Sequence, residues 1–227
     1  SAAPAEPPML TVVRHRIWAD LLMPSRLDAY ADLVDRAVAA GYEVIGLAAY
    51  AATVPTDDRR ILILRHDVDT DPRTARAMWA IGRERGIASS TFFRRSTVDV
   101  GLMREMADAG DEVGYHYEEL ATIAKRRHLR GADEARAHLP EARERFAANL
   151  AQLRRKTGLP LRIAASHGDF VNRAIGVHNT EILEDPAFVA GEVSTAFLTG
   201  GPPAATPAGD GAAVAAALAL AERTTLT

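Results

Sequence analysis

ILILRHDVDT, residues Ile61 to Thr70, carries four aliphatic residues straight into an arginine, a histidine and two aspartates. A short continuous apolar run bounded by charge suits a strand covered on both faces, as in a parallel sheet. Asp67 and Asp69 stand two residues apart, so on extended chain both carboxylates point to the same side. Like charges that close favour a cation between or beside them. A strand end whose aspartate merely caps the next helix is an equally simple reading. A calcium loop is excluded, because counting from Asp67 the sixth and twelfth positions hold Pro72 and Met78 rather than the required Gly and Glu.

Working downstream, the pattern predicts a helix from about Arg73 to Arg85, stopped by Gly86, and a strand in IASSTFF (87–93). VGLMREMADAG (100–110) places Leu102, Met103 and Met106 on one helical face, and DEVGYHYE (111–118) is a third strand. The charged stretch 132–158 is helical with Pro140 as a break or new first turn, and LPLRIAASHG (159–168) is a fourth strand. Upstream, PSRLDAYADLVDRAVAAGY (24–42) predicts a helix with Ser25 as N-cap, Asp28 three residues on, an apolar face of Leu27, Tyr30, Leu33, Val34 and Val38, and Gly41 as stop. YEVIGLAAYA (42–51) reads as strand or turn, and VPTDDRR (54–60) as a polar loop. Alternating strands and helices build parallel sheets through right-handed crossovers, so the fold class is α/β.

The 227 residues fit a single domain, 1–227, with a Pro-rich N-terminal lead (1–24), a low-complexity loop (200–212) and an alanine-rich helix after it. Hydrophobic residues make up 48% and charged residues 25%, as in ordinary globular chains. A net charge of −3 with arginines scattered among acids gives no basic surface for nucleic acid. No run approaches a membrane span, and the start lacks the features of a signal peptide. Without cysteine there are no disulfides or thiolate sites, so any metal must sit on His, Asp or Glu. These features favour a cytoplasmic over a secreted location.

Three strands end in groups able to bind metal or move protons. Parallel α/β sheets place ligand sites at the carboxyl ends of their strands, so Asp67, Asp69, His116, Glu118 and His167 are expected to meet. Each histidine alone reads as a hydrogen-bonded core residue. Together with the aspartates, one carboxylate, two histidines and an open position form a ligand set suited to catalytic zinc and to other divalent ions. His66 is expected to turn away into packing, Tyr115 and Tyr117 to pack on the side of the strand opposite His116, and His15, His128 and His138 to be solvated. His178 is a candidate proton donor.

RHDVDTDPRTARAMWAIGRERGIASSTFF, LMREMADAGDEVGYHYEEL and ASHGD resemble the polysaccharide deacetylases of the nodulation type, carbohydrate esterase family 4, over about Ile61 to Gly168. The resemblance implies a distorted or incomplete (β/α) barrel of about seven parallel strands. It implies Asp67 as general base, Asp69 and His116 as metal ligands, and an N-acetylated sugar or glycan as substrate. That family's second motif carries a further His or Asp four residues on, where this chain has Leu120. His167 is then the first choice for third ligand and Glu118 the second. Glu118, Ser166 and Asp169 are candidate substrate-binding residues. The family's late leucine-and-histidine motif has no visible counterpart. The expectation is a zinc-type hydrolase removing N-acetyl groups, with an amidase of small linear or cyclic amides, or an inactive carbohydrate-binding barrel, as rivals.

Overall fold

The computed structural model describes residues 25–52, 59–177 and 180–183. The N-terminal lead, the C-terminal loop and helix, His15 and His178 lie outside the described residues.

Helix α1 (Leu27–Ala39) precedes strand β1 (Glu43–Ile45) and a short helix α2 (Leu47–Ala52). The N-cap of α1 is Arg26 rather than Ser25, whose hydroxyl only accepts the Leu27 N–H at 3.4 Å. Of the expected apolar face only Val34 is buried, while Leu33 and Val38 are exposed.

The decisive stretch forms two strands, β2 (Ile61–Ile63) and β3 (Arg65–Val68). β2 pairs in parallel with β1, and β3 pairs in parallel with β4 (Ser90–Phe93). Leu64 makes the transition, donating its N–H to Ile45 O at 2.8 Å and accepting from Ser90 N–H at 3.0 Å. The apolar run itself is half-buried. The strand covered on both faces is β4, every residue of which is buried. Burying each of its two phenylalanines contributes about 1.5–3 kcal/mol.

Helix α3 (Pro72–Glu84) begins at Asp71, whose carboxylate accepts the N–H groups of Arg73 and Thr74, with Pro72 in the first turn. The capping aspartate is therefore Asp71, and Asp67 and Asp69 are left for another role. Helix α4 (Val100–Asp108) is capped by Asp99 and buries Leu102, Met103 and Met106 as the spacing predicts. Strand β5 (Glu112–Tyr117) runs directly into α5 (Glu119–Arg127), followed by α6 (Ala132–Ala137) and the long α7 (Leu139–Thr157), which restarts at His138 with Pro140 in its first turn. Strand β6 (Ile163–Ser166), α8 (Phe170–Ile175) and α9 (Thr180–Leu183) complete the described chain.

The strands form a parallel pair, β1-β2, and a parallel sheet of four, β3-β4-β5-β6. Among the described residues these are six strands in two sheets, not seven, and they do not close into a barrel. No helix among them is long and apolar enough to cross a membrane.

Register decides which residues share a face. Asp67 pairs with Phe92, Phe92 with Gly114 and Gly114 with Ile163, while His116 pairs with Ala165. With side chains alternating, Arg65, Asp67, Phe92, His116 and Ala165 occupy one face of the four-stranded sheet. The other face carries Val68, Phe93, Tyr115 and Tyr117, which join the main core with residues of α4, α5 and α7. Tyr115 and Tyr117 both pack on Phe146, with ring centroids 5.5 and 5.1 Å away. His66 also lies on that side, its Nε2 3.0 Å from the Tyr30 hydroxyl.

Gly114 is fixed by close approach. A Cβ there would stand 2.6 Å from the Phe92 ring and 2.7 Å from Ile163 O. Phe92 thus packs closely against bare backbone and supports Arg65, whose guanidinium carbon is 5.2 Å from the ring centroid.

Candidate metal centre

Asp69, just beyond β3, His116 on β5 and His167, just beyond β6, each bring one ligand atom within 4.8 Å of the others. Asp69 Oδ1 is 3.0 Å from His167 Nδ1 and 3.4 Å from His116 Nε2. The two ring nitrogens are 3.3 Å apart. An ion bonded to three donors at ~2.0–2.1 Å requires donor separations of about 3.0 Å on an octahedral edge and about 3.4 Å on a tetrahedral one. The observed triangle lies within that range, so the donor set fits a divalent ion of zinc size. Two imidazoles and a carboxylate aimed at one point also need a shared cation or proton to offset the repulsion of their lone pairs.

The surroundings prepare His116 for ligation. Its Nδ1–H donates to Ala165 O at 3.1 Å, which leaves the Nε2 lone pair facing the cluster. Burial pulls its pKa below the ordinary histidine value, and this outweighs Asp67 and Asp69, which pull it upward. The ring is therefore neutral at pH 7, the form that binds a metal. The backbone N–H of His167 donates to Tyr117 O at 2.8 Å, extending the β5–β6 pairing by one residue and fixing its position. That N–H is consequently spent and does not face a substrate.

Asp67 is adjacent but differently held. Arg65 grips it with two hydrogen bonds, Nε to Oδ1 at 2.9 Å and Nη2 to Oδ2 at 2.8 Å. Its Oδ2 lies 3.8 Å from His116 Nε2. It is outside the three-donor group and beside it, where a base acting on water near the ion would stand.

The remaining expected residues divide. Glu118 is not part of the donor group. Its carboxylate is engaged by Arg94, Nε to Oε1 at 3.3 Å and Nη2 to Oε2 at 2.5 Å. Asp169 is the N-cap of α8, accepting the Val171 N–H at 3.0 Å, and is ion-paired with Lys125. Burial pulls its pKa up, but Lys125 and the Val171 N–H outweigh this and leave it below the ordinary carboxylate range. Its chemistry is spent on the fold. Ser166 pairs with Tyr117 in register and so alternates to the sheet face opposite His116. Leu120 is fully buried in the core.

Two arginines that sequence reading passed over belong to the site. Arg65 stands two residues before Asp67 on one strand, a spacing that puts both on the same face. Arg94 is the first residue after β4, the same strand-end position that singled out the others.

No family model, curated protein or solved structure matches this chain.

Proposed function

We propose that this chain is a divalent-metal-dependent hydrolase that removes an N-acetyl group from an amino sugar or glycan. The observation that carries the proposal is the meeting of Asp69, His116 and His167 from three separate segments, with Asp67 held beside them. The sugar and its acetyl group follow from the resemblance of the Ile61–Gly168 motifs to carbohydrate esterase family 4, and with them an extension of the two sheets into a distorted barrel of about seven strands.

When bound, a divalent ion, zinc foremost, supplies Lewis acidity that polarises an amide carbonyl and acidifies water. Asp69, His116 and His167 hold that ion. His116 contributes as a neutral ligand because burial keeps its proton off. Asp67 accepts the proton of the attacking water, and Arg65 orients its carboxylate for the transfer. The leaving amine needs a proton donor, for which His178 is the candidate.

Metal content and acetate release on two variants test these roles. Asp69→Ala loses both. Asp67→Asn retains the metal and loses turnover by ~10²–10⁴-fold, the worth of a positioned base. Full activity in either variant removes the assigned role. N-acetylglucosamine oligomers run beside small linear and cyclic amides decide the substrate class.

A further inference from the structure

Arg94 ties together the chain segments that carry two of the three candidate metal donors. It leaves the carboxyl end of β4, between the strand that delivers Asp69 and the strand that delivers His116. Its Nη1 donates to the backbone carbonyl of Asp69 at 3.3 Å. Its Nε and Nη2 bind the carboxylate of Glu118, two residues beyond His116, at 3.3 and 2.5 Å. The same turn is tied again to β3. Thr97 Oγ1 accepts the Arg94 N–H at 3.0 Å and donates to Val68 O at 2.6 Å.

A guanidinium is a planar fork with its donors in fixed directions. One that binds a carboxylate side-on and a carbonyl at its third position fixes the distance between the two chains carrying them. Here those chains carry the carboxylate donor and one imidazole donor. Both members of the pair are about three-quarters buried, with side-chain exposures of 22% and 24%, so solvent screens it only partly.

We propose that Arg94 and Glu118 form an outer brace of the metal centre, a pair of positioning residues that sets the separation of Asp69 from His116 and thereby the affinity for the ion. The proposal rests on the metal-centre reading. It also gives Glu118 a role other than ligand or substrate contact. An ammonium cannot reproduce the brace, because a point charge cannot bind both carboxylate oxygens and the Asp69 carbonyl in one plane.

The test is zinc affinity of the full chain, measured by calorimetry against a competing chelator, with the Co(II) absorption spectrum as a second readout. Arg94→Met and Arg94→Lys are each expected to bind zinc ~10–100-fold more weakly, the usual cost of losing an outer-shell partner. Glu118→Gln keeps the shape and one acceptor oxygen, is expected to weaken zinc several-fold, and serves if the arginine variants fail to fold. Their Co(II) spectra shift because the donor triangle changes shape. Arg76→Met, which breaks the exposed Arg76–Glu105 pair on α3 and α4, leaves zinc affinity unchanged. Wild-type binding with all brace variants within threefold of it overturns the brace alone. A wild-type chain that binds no zinc overturns the metal-centre reading and the brace with it.

Discussion

Replacing Gly114 with alanine tests the packed layer of Gly114, Phe92 and Arg65 on the sheet face that carries the candidate metal centre. The added methyl carbon would lie 2.6 Å from two atoms of the Phe92 ring and 2.7 Å from Ile163 O, where ordinary contacts begin near 3.4 Å. Ring and backbone would each have to retreat by about 0.7–0.8 Å to restore packing. Neither can do so easily. Phe92 is fully buried on the central strand β4 and lies beneath Arg65, and Ile163 is paired to Gly114 itself. Overpacking a core by one methylene typically costs ~1–3 kcal/mol, and a double clash against a ring and a carbonyl belongs at the upper end, about 3 kcal/mol. Urea unfolding of the metal-free protein measures it as a lower midpoint at constant m-value. Phe92→Leu in the Gly114→Ala background should cost at least about 1 kcal/mol less than in the wild type, because it removes one of the two clashes. Gly114→Ala within 0.5 kcal/mol of wild type, or strict additivity of the two changes, would refute this layer.

Three further outcomes follow from the geometry. Zinc at a hundred times its dissociation constant should stabilise the wild type by ~2.7 kcal/mol and leave Asp69→Ala unmoved, read as a shift in urea midpoint. Burial holds His66 below the ordinary histidine pKa, with Asp67 and Asp111 pulling upward. The unfolded chain therefore takes up a proton near pH 6.5 that the folded chain resists, so its contribution is complete above that pH and is lost as pH falls through the folded-state pKa. In metal-free protein His116 adds a loss of the same sign, and stability that holds steady from pH 7 to 5 would contradict both. Asp169→Ala removes the N-cap of α8 and the Lys125 partner and should cost ~1–2 kcal/mol by denaturant titration, most of it unrecovered in Asp169→Leu.

The alternation from β3 to β6 was legible because α3, α4 and α7 run up to glycine stops at Gly86, Gly110 and Gly158, and α4 carries an apolar stripe of Leu102, Met103 and Met106. Helices α2 and α5 were not. Leu47–Ala52 is too short for a period to declare itself, and α5 follows β5 without a turn and ends on His128 in the left-handed conformation where glycine is expected. Strand-end position found Asp67, Asp69, His116 and His167, but it does not tell a donor from a carboxylate already claimed by a cation. Glu118 and Asp169 are such carboxylates, and their partners Arg94 and Lys125 lie 24 and 44 residues away in sequence. Likewise, D-x-D-x-D offers three acids, and only the bonds to Arg73 and Thr74 single out Asp71 as the cap.

The change of partner at Leu64 makes the smaller sheet an index for the larger one. Ile61–Val68 is a single unbroken thread, so whatever holds Ile61 opposite Glu43 also counts off which residues emerge at the far end. A slip of one position would present His66 and Val68 where Asp67 and Asp69 now stand, exchanging carboxylates for an imidazole and an isopropyl group on the working face. The modest β1–β2 pair, which supplies none of the candidate donors, thus acts as their reading frame.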